Sequence, residues 1–384
     1  MWEGAVIRVA IIGAGRWSQR AHIPAWRRDS RCEIVGIYDN DADAAARTAA
    51  SLGTLAVAKD PAALIASPEV DIVDVVTWNP SHFEYAMAAI AAGKHVLCEK
   101  PVHHDYLETR RAASLAATRG LRTKVGFTFR FSAAMMRMKE LIDDGYIGRP
   151  LVFNGFEQNS QFLDPLTPMR VGEAATLPDG RLKAASLEGY GAPIIDLGLW
   201  FVGSELREVV GLLTNQISER ISKGSSEVRP LPVDDTDAFI GRFDNGVLAT
   251  IQSSYVTVGN YPGLEARLYG TEGALICRLV EERGVCERLW GARKNAVEFE
   301  ALEIPQRLFP TGGSLREGWE TSFYSNLVRD FIDDIDQPER AAGGDFVAAA
   351  AVQEVIDAVE ISHQQHRWVA LPLGSAADSG SAEG

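Results

Sequence analysis

The chain has 384 residues, which favours two domains, and its 46% hydrophobic and 23% charged residues are typical of a globular protein. A formal net charge of −14 argues against a nucleic-acid partner, because such a surface would concentrate Lys and Arg. No apolar stretch is long enough to cross a bilayer, so no membrane partner is expected.

The cysteines indicate a reducing compartment. Cys32, Cys98, Cys277 and Cys286 form no C-x-x-C pair and no cluster with histidine, so we expect free thiols and no metal site. The first residues enter a strand pattern without a leader-like apolar segment, so no export signal is expected. These features predict a cytoplasmic protein.

Strands and helices alternate through the first third of the chain. Apolar runs predict strands at residues 6–12, 33–38, 70–77, 95–98 and 122–127. Helical patterns lie between them, ending near residue 29 and covering 43–52, 81–92 and 106–119. This alternation predicts an α/β fold in which residues 1–128 form a doubly wound Rossmann sheet.

The rhythm changes after residue 128. A helix at residues 135–144 precedes strands at 151–158, 209–215, 236–243, 247–256 and 264–269, which have no helices between them. Helical periodicity returns at 319–335 and 346–363. We therefore predict an α+β second domain over residues 129–372, with a large, mostly antiparallel sheet, and a disordered tail over 373–384. Residues 161–191 form an irregular loop whose length is typical of functional or disordered segments.

A glycine motif directly after the first strand indicates a dinucleotide site. In Gly13-Ala14-Gly15-Arg16-Trp17-Ser18, Gly13 permits a tight turn and Gly15 lets a phosphate approach the backbone. The helix that follows offers its N-terminal N–H groups to a pyrophosphate. Ser18 replaces the usual third glycine, so the motif depends on this context.

Asp39 completes the dinucleotide pattern at the end of the second strand. A carboxylate about 20 residues beyond the loop accepts hydrogen bonds from ribose hydroxyls and repels a 2′-phosphate. Asn40 and Asp41 follow, without an arginine, so NAD is favoured over NADP. A glycine turn that binds no nucleotide is the remaining alternative.

The run AGKHVLCEKP, which contains Glu99-Lys100-Pro101, resembles the Gfo/Idh/MocA oxidoreductases, the glucose-fructose oxidoreductase and inositol dehydrogenase family. Other similar segments are GAGRWS followed by His22, IYDND, GFTFRF and KELIDDGYIGRP, and they extend through nearly the whole chain. The resemblance implies an NAD-dependent oxidoreductase that forms a homodimer or homotetramer. Pro101 is expected to follow a cis peptide bond.

The resemblance also implies the cofactor contacts. These are Gly13, Gly15, Arg16, Trp17, Asp39, Asn40, Thr77, Trp78, Asn79, His82, Glu99 and Lys100. Trp78 replaces a proline of the family pattern, and its ring either lines the nicotinamide pocket or only packs. Lys100 is expected between nicotinamide and substrate, where an ammonium can stabilise negative charge and relay a proton. A surface lysine before a turn proline is the alternative.

A second family motif is altered in residues 188–203. In one register Asp196 is the first Asp of that motif, and Trp200 takes the position of its histidine. In the other register Asp196 is the second Asp, and Gly189 and Pro193 stand where the first Asp and the histidine are expected. We prefer the second register because it preserves helix length, which makes Asp196 a residue near a helix N-terminus. Both registers lack the histidine.

Three interpretations of the missing histidine stay open. Lys100 acts with another donor such as Tyr190; the 161–191 loop supplies Arg170, Arg181, Lys183 or Glu188; or the protein binds NAD without turnover. The candidate catalytic residues are Lys100, Tyr190 and Asp196. The candidate substrate contacts are Arg130, which alternatively ties the domains together, and Pro193.

The sequence as a whole predicts hydride transfer between NAD(H) and a secondary alcohol or carbonyl of a sugar, cyclitol or related small polar metabolite. No metal-ligand spacing is evident, so no metal is expected. The alternatives are an NAD-retaining glycosidase and an inactive NAD-binding regulatory protein.

Overall fold

A computed structural model describes residues 6–53, 55–169, 182–221, 223–224, 226–340 and 343–374. By packing, the chain divides into two units. The first comprises the described residues of Met1–Ser132 and Phe309–Ala351, and the second those of Ala133–Leu308 and Val352–Gly384. The predicted boundary at residue 128 lies close to the observed one, but the sequence placed 309–351 in the second domain.

The first unit is built on a parallel sheet of six strands. They are β1 (Ile7–Ile12), β2 (Cys32–Tyr38), β3 (Ala56–Val57), β4 (Ile72–Val75), β5 (His95–Cys98) and β6 (Thr123–Val125). Their order is β3-β2-β1-β4-β5-β6, which confirms the predicted Rossmann sheet. β1 and β4 lie at the centre and are almost wholly buried, as expected of strands covered on both faces.

Helices connect these parallel strands. They are α1 (Ile23–Arg28), α2 (Ala42–Leu52), α3 (Pro61–Ala66), α4 (His82–Ala91) and α5 (Tyr106–Thr118). Side chains of Asp41, Asp60 and Asp105 cap α2, α3 and α5 by accepting backbone N–H bonds. The predicted helices are confirmed, whereas β3 and α3 are too short to leave a clear periodic pattern.

A buried ion cluster explains why residues 309–351 belong to the first unit. Lys124 on β6 is fully buried, and its Nζ lies 2.7 Å from Asp330 and 2.5 Å from Asp334, both on α8 (Trp319–Asp336). The same ammonium donates to the carbonyl of Gly343, and the N–H of Val125 donates to the carbonyl of Gly344. A buried ammonium needs such partners, so β6 fixes this distant segment.

The second unit contains the large mixed sheet. Its strands include β7 (Pro150–Gln158), β8 (Leu206–Thr214), β11 (Thr236–Phe243), β12 (Leu248–Ser254), β13 (Pro262–Gly270), β14 (Gly273–Glu282), β15 (Val285–Arg293), β16 (Glu300–Ala301) and β17 (Val369–Ala370). The order is β16-β15-β14-β13-β7-β12-β11-β8-β17, with every pairing antiparallel except β7 with β12. A separate hairpin joins β9 (Glu219–Ile221) and β10 (Val228–Pro230). The predicted antiparallel character is confirmed.

Helices pack on one face of this sheet. They are α6 (Ala133–Asp143), α7 (Ala192–Val202) and the later turns of α9 (Phe346–Gln365), within which the division between units falls. α7 lies close to β7 because Gly155 and Gly198 lack side chains. A Cβ at Gly155 would lie 2.4 Å from Ile194, and one at Gly198 would lie 2.8 Å from the Phe153 ring.

In two segments of the chain a π-helical turn leads directly into an α-helix. Residues Ser18–His22 lead into α1, and Leu187–Gly191 lead into α7. In each case a proline, Pro24 or Pro193, is the second residue of the α-helix. Proline has no N–H and its ring crowds the preceding turn, so a widened turn accommodates it within a continuous helix.

Candidate active site

The loop after β1 has the shape that a pyrophosphate requires. Gly13 has φ +114°, and a Cβ there would lie 2.6 Å from the carbonyl oxygen of Val76, so only glycine fits. A Cβ at Gly15 would meet nothing within 4 Å, which leaves that backbone open to a ligand. The helical stretch begins at Arg16, which is exposed. Its first N–H groups are therefore available to an anion.

Asp39 stands directly after β2 and faces this loop. Its carboxylate accepts the N–H of Ala14 at 2.7 Å and that of Asp41 at 2.8 Å. The side chain is half-buried, and Asn40 beside it is exposed. A carboxylate fixed next to the glycines can accept ribose hydroxyls, so the loop and Asp39 together fit an NAD dinucleotide.

His82 holds together the segments that follow β4 and β5. Its ring is buried, with Nδ1 2.8 Å from the carbonyl oxygen of Pro101 and Nε2 2.9 Å from that of Thr77. The Thr77 hydroxyl also accepts a hydrogen bond from Ser81 at 2.8 Å. His82 therefore uses both ring nitrogens within the protein. The neighbouring Trp78 is 49% exposed.

Lys100 lies at the carboxyl edge of the parallel sheet. It follows β5, and β4 separates β5 from β1 in the sheet. Since all strands are parallel, Lys100, Thr77 and the phosphate loop share the edge at which such folds bind ligands. The side chain is half-buried, and the Lys100–Pro101 peptide bond is cis, as predicted.

Beneath this edge lies a buried network of ionisable side chains. His22 Nδ1 lies 2.9 Å from Asp74 Oδ2, and His22 Nε2 lies 3.0 Å from Glu99 Oε1. Trp26 donates its indole N–H to Asp74 at 2.6 Å. His22 and Asp74 are fully buried, and the Glu99 side chain is nearly so. A histidine therefore bridges two carboxylates in the interior of the first unit.

Glu99 has further donors from distant parts of the unit. The Tyr324 hydroxyl on α8 donates to its Oε1, and the Trp17 indole N–H approaches the same oxygen at 3.3 Å. Trp17 also donates to Tyr324 at 2.9 Å. Glu99 and Trp17, predicted as cofactor contacts, thus direct their polar groups toward each other.

The network favours charged forms. Burial opposes the imidazolium of His22, but the attraction and hydrogen bonds of Asp74 and Glu99 outweigh it and raise the pKa of His22 to about 9. Burial likewise opposes the Glu99 carboxylate, but the hydrogen bond and charge of His22, with Tyr324, lower the pKa of Glu99 to about 2. Near neutral pH His22 is therefore an imidazolium and Glu99 a carboxylate.

In the second unit, Tyr190 lies among polar and aromatic side chains. Its hydroxyl donates to Gln161 Oε1 at 2.7 Å, and its ring centroid lies 5.3 Å from that of Tyr255 and 6.2 Å from that of Tyr261. Burial, and then the charge of Glu157, raises the pKa of Tyr190. Its phenol therefore stays protonated near neutral pH, and its one hydrogen is donated to Gln161.

Pro193 and Asp196 are both buried on α7. The sequence placed Asp196 near a helix N-terminus, which is wrong. The helical stretch begins at Ser186, so Asp196 lies in its middle. α7 continues to Gly203, whose φ of +64° ends it.

A second buried carboxylate pair lies under the start of this helical stretch. Asp234 accepts the backbone N–H groups of Ala185, Ser186 and Leu187. Asp237 accepts the hydroxyl of Ser253 and shares a hydrogen bond with Asp234. Burial raises the pKa of Asp237 to about 7, although the Ser253 hydrogen bond acts in the opposite direction. The pair therefore holds a proton near neutral pH.

Among the other predicted residues, Arg130 is buried in the first unit, and a Cβ at Gly343 would lie 3.1 Å from its guanidinium. Arg170 and Arg181 lie outside the described residues, as does the tail from residue 375. Within the described ranges, no group of three or more His, Cys, Asp or Glu side chains could hold a metal ion. No helix there is long and apolar enough to span a membrane.

Sequence reasoning missed Asp74 and Tyr324. Asp74 left a signal, because it is the one charged residue of the apolar strand Ile72–Val75. A charge in a fully buried strand requires a partner, and His22 supplies it. Tyr324 lies on α8, more than two hundred residues from Glu99, and left no comparable signal.

Comparison with known proteins agrees with this geometry. Residues 7–127 match the model of an oxidoreductase family with an NAD-binding Rossmann fold, and residues 135–276 match the C-terminal domain of the same family. Together the two models match more than half of the chain. The first unit is thus of the NAD-binding Rossmann class, and the chain belongs to the Gfo/Idh/MocA oxidoreductase family.

Individual relatives are similar over part or all of the chain. An inositol 2-dehydrogenase of Saccharopolyspora erythraea is 39% identical over 56% of this chain and 59% of its own length. A levoglucosan dehydrogenase of Pseudarthrobacter phenanthrenivorans is 27% identical over 62% of this chain and 63% of its own. The chain thus spans less than two thirds of these relatives. The crystal structure of an NAD-binding oxidoreductase from Klebsiella pneumoniae covers 96% of this chain and 99% of its own, with a TM-score of 0.82 and 28% identity.

Proposed function

We propose that the protein is an NAD-dependent dehydrogenase or reductase that acts on a secondary alcohol or carbonyl of a cyclitol, sugar or related polar metabolite. The observation that carries this proposal is the placement of Lys100 at the same sheet edge as the Gly13–Gly15 loop and Asp39. The names of the inositol and levoglucosan relatives support the substrate class.

Lys100 is proposed as the catalytic residue. Bound NAD supplies the nicotinamide carbon that accepts or gives the hydride. When a carbonyl is reduced, the Lys100 ammonium stabilises the negative charge on its oxygen and gives that oxygen a proton as the hydride arrives at the carbon. When an alcohol is oxidised, the neutral Lys100 amine accepts the hydroxyl proton as the hydride leaves. Gly13, Gly15 and Arg16 hold the pyrophosphate, Asp39 and Asn40 the adenosine ribose, and Thr77, Trp78 and Asn79 line the nicotinamide end.

In the second unit we propose Tyr190 as the proton donor in place of the missing histidine. The proposal rests on its place three residues before Pro193, the position of the missing histidine. Its phenol would resupply the proton that Lys100 gives up, after exchanging the Gln161 partner to which it now donates. Pro193 and Asp196 are buried, so we propose that they shape the helix that carries Tyr190. Arg130 is proposed as a substrate contact.

NADH formation from NAD, with myo-inositol and levoglucosan as probes, tests the function. K100A should lower kcat by about 100-fold or more, while NAD still raises the melting temperature. D334N is the matched control, because Asp334 belongs to the separate Lys124 cluster, and its kcat should equal that of the wild type. NAD binding without turnover of any polyol would instead favour a regulatory protein.

We also propose that the protein assembles through the open face of the large sheet. β11 alternates buried and exposed residues, and Ile240, Leu212 and Leu248 are 43%, 53% and 45% exposed on that face. Such an apolar patch is typical of interfaces, which supports a homodimer or homotetramer. The double variant L212D/I240D should shift the mass measured by light scattering to that of a monomer.

We also propose a cytoplasmic location, which the four free cysteines support.

A further inference from the structure

The Asp74–His22–Glu99 network takes no direct part in the proposed hydride and proton transfer, yet its burial costs free energy. Two carboxylates and an imidazolium lie in the interior of the first unit, where apolar side chains of similar volume would pack with less desolvation. We propose that His22, Asp74 and Tyr324 are positioning residues that fix Lys100 by acting through Glu99. This inference rests on the proposed role of Lys100.

The geometry first fixes the imidazole. Both ring nitrogens of His22 face carboxylate oxygens, at 2.9 Å for Asp74 and 3.0 Å for Glu99. Ionised carboxylates only accept, so both nitrogens carry hydrogen and the ring is positively charged. Trp26 donates its indole N–H to the same Asp74 oxygen at 2.6 Å. The ring therefore has one orientation, with Nε2 directed at Glu99.

The imidazolium then fixes the carboxylate. Glu99 Oε1 accepts from His22, Tyr324 and Trp17, and its Oε2 accepts the backbone N–H of Lys100 at 3.3 Å. Gly126 closes the remaining side, because a Cβ there would lie 2.6 Å from Oε1. Glu99 thus has one position, and the backbone of Lys100 is tied to it.

The same carboxylate connects Lys100 to the phosphate loop. Trp17 lies in the first turn of the helical stretch that follows the Gly13–Gly15 loop, and its one indole N–H reaches both Glu99 and Tyr324. One buried carboxylate therefore sets the relative position of the phosphate loop and the lysine. A change at His22 should therefore displace Lys100 through Glu99, which contacts both residues.

The test compares H22Q and Y324F with D334N in the full chain. Glutamine is uncharged and cannot replace both ring N–H bonds, whereas Y324F removes only one donor to Glu99 and keeps the aromatic ring. We expect H22Q to lower kcat about 10- to 100-fold and Y324F to lower it less, because small displacements of a catalytic group have effects of this size. D334N, which also disturbs a buried ion cluster, should lower the melting temperature but not kcat.

A second readout does not require turnover. Competitive acetylation by acetic anhydride, read by mass spectrometry, compares the reactivity of Lys100 with that of the exposed Lys59. H22Q should change this ratio and D334N should not. An unchanged ratio in both H22Q and Y324F overturns the inference, whether or not a substrate is found. A changed ratio in a protein that oxidises no polyol supports the inference and contradicts only the proposed function.

Discussion

The buried Asp234–Asp237 pair should lower the free energy of unfolding as the pH rises. The pKa of Asp237 is about 7 in the folded protein, against 3.8 for the free side chain. Burial, and then the negative charge of Asp237, also raises the pKa of Asp234 well above its ordinary value, so the folded pair keeps a proton that the unfolded chain releases. The stability contributed by this group is fully present below pH 3.8 and is lost as the pH rises through 7.

The difference of about three pKa units corresponds to at most about 4 kcal/mol, at about 1.4 kcal/mol per unit. D237N cannot ionise, keeps the volume of the side chain, and can donate to Asp234. We therefore expect D237N to match the wild type in free energy of unfolding near pH 4 and to exceed it at pH 8.

Urea unfolding followed by circular dichroism at the two pH values measures this difference. D244N removes an equal charge from the exposed turn between β11 and β12 and serves as the control. A stability change in D237N that is the same at both pH values would refute the assignment of the proton to this pair.

Three further predictions concern the sheet edge and Tyr190. G13A should abolish NAD binding measured by calorimetry, because its Cβ would lie 2.6 Å from the Val76 carbonyl and φ is +114°; affinity equal to that of the wild type would contradict the loop assignment. D39S should raise the affinity for NADP relative to NAD, since the carboxylate that repels a 2′-phosphate is lost; an unchanged ratio of dissociation constants would place the ribose elsewhere. Y190F should lower kcat/KM about 100-fold while leaving NAD affinity unchanged, and full activity would exclude it as the proton donor.

The first unit was predictable because its signals are local. β1 and β2 are apolar except for Arg8 and Glu33, each the second residue of its strand. The glycine loop and Asp39 stand at the strand ends where a Rossmann fold needs them. The sequence did not predict that α8 packs in the first unit, because an amphipathic pattern shows which face of a helix is apolar but not which element covers it. The partner is Lys124, whose burial within a short strand depends on carboxylates two hundred residues away.

The sequence predicted the antiparallel sheet of the second unit but not all of its strands. β14 and β15 were missed because consecutive buried residues, such as Ala274 with Leu275 and Cys286 with Glu287, break the strict alternation of a half-buried strand. The sequence could not show that Pro193 lies inside a continuous helix, since a proline ordinarily marks a helix start. The widened turn over Leu187–Gly191 resolves this conflict, and it is a tertiary feature.

The most direct test of the central claim is the transfer of a labelled hydride. The protein is mixed with NAD and with myo-inositol or levoglucosan that carries deuterium on every carbinol carbon, and the mass of the NADH formed is measured. The wild type should yield NADH heavier by one deuterium, and K100A should yield almost none. Failure to label NADH with either probe, or label transfer by K100A at the wild-type rate, would contradict this claim.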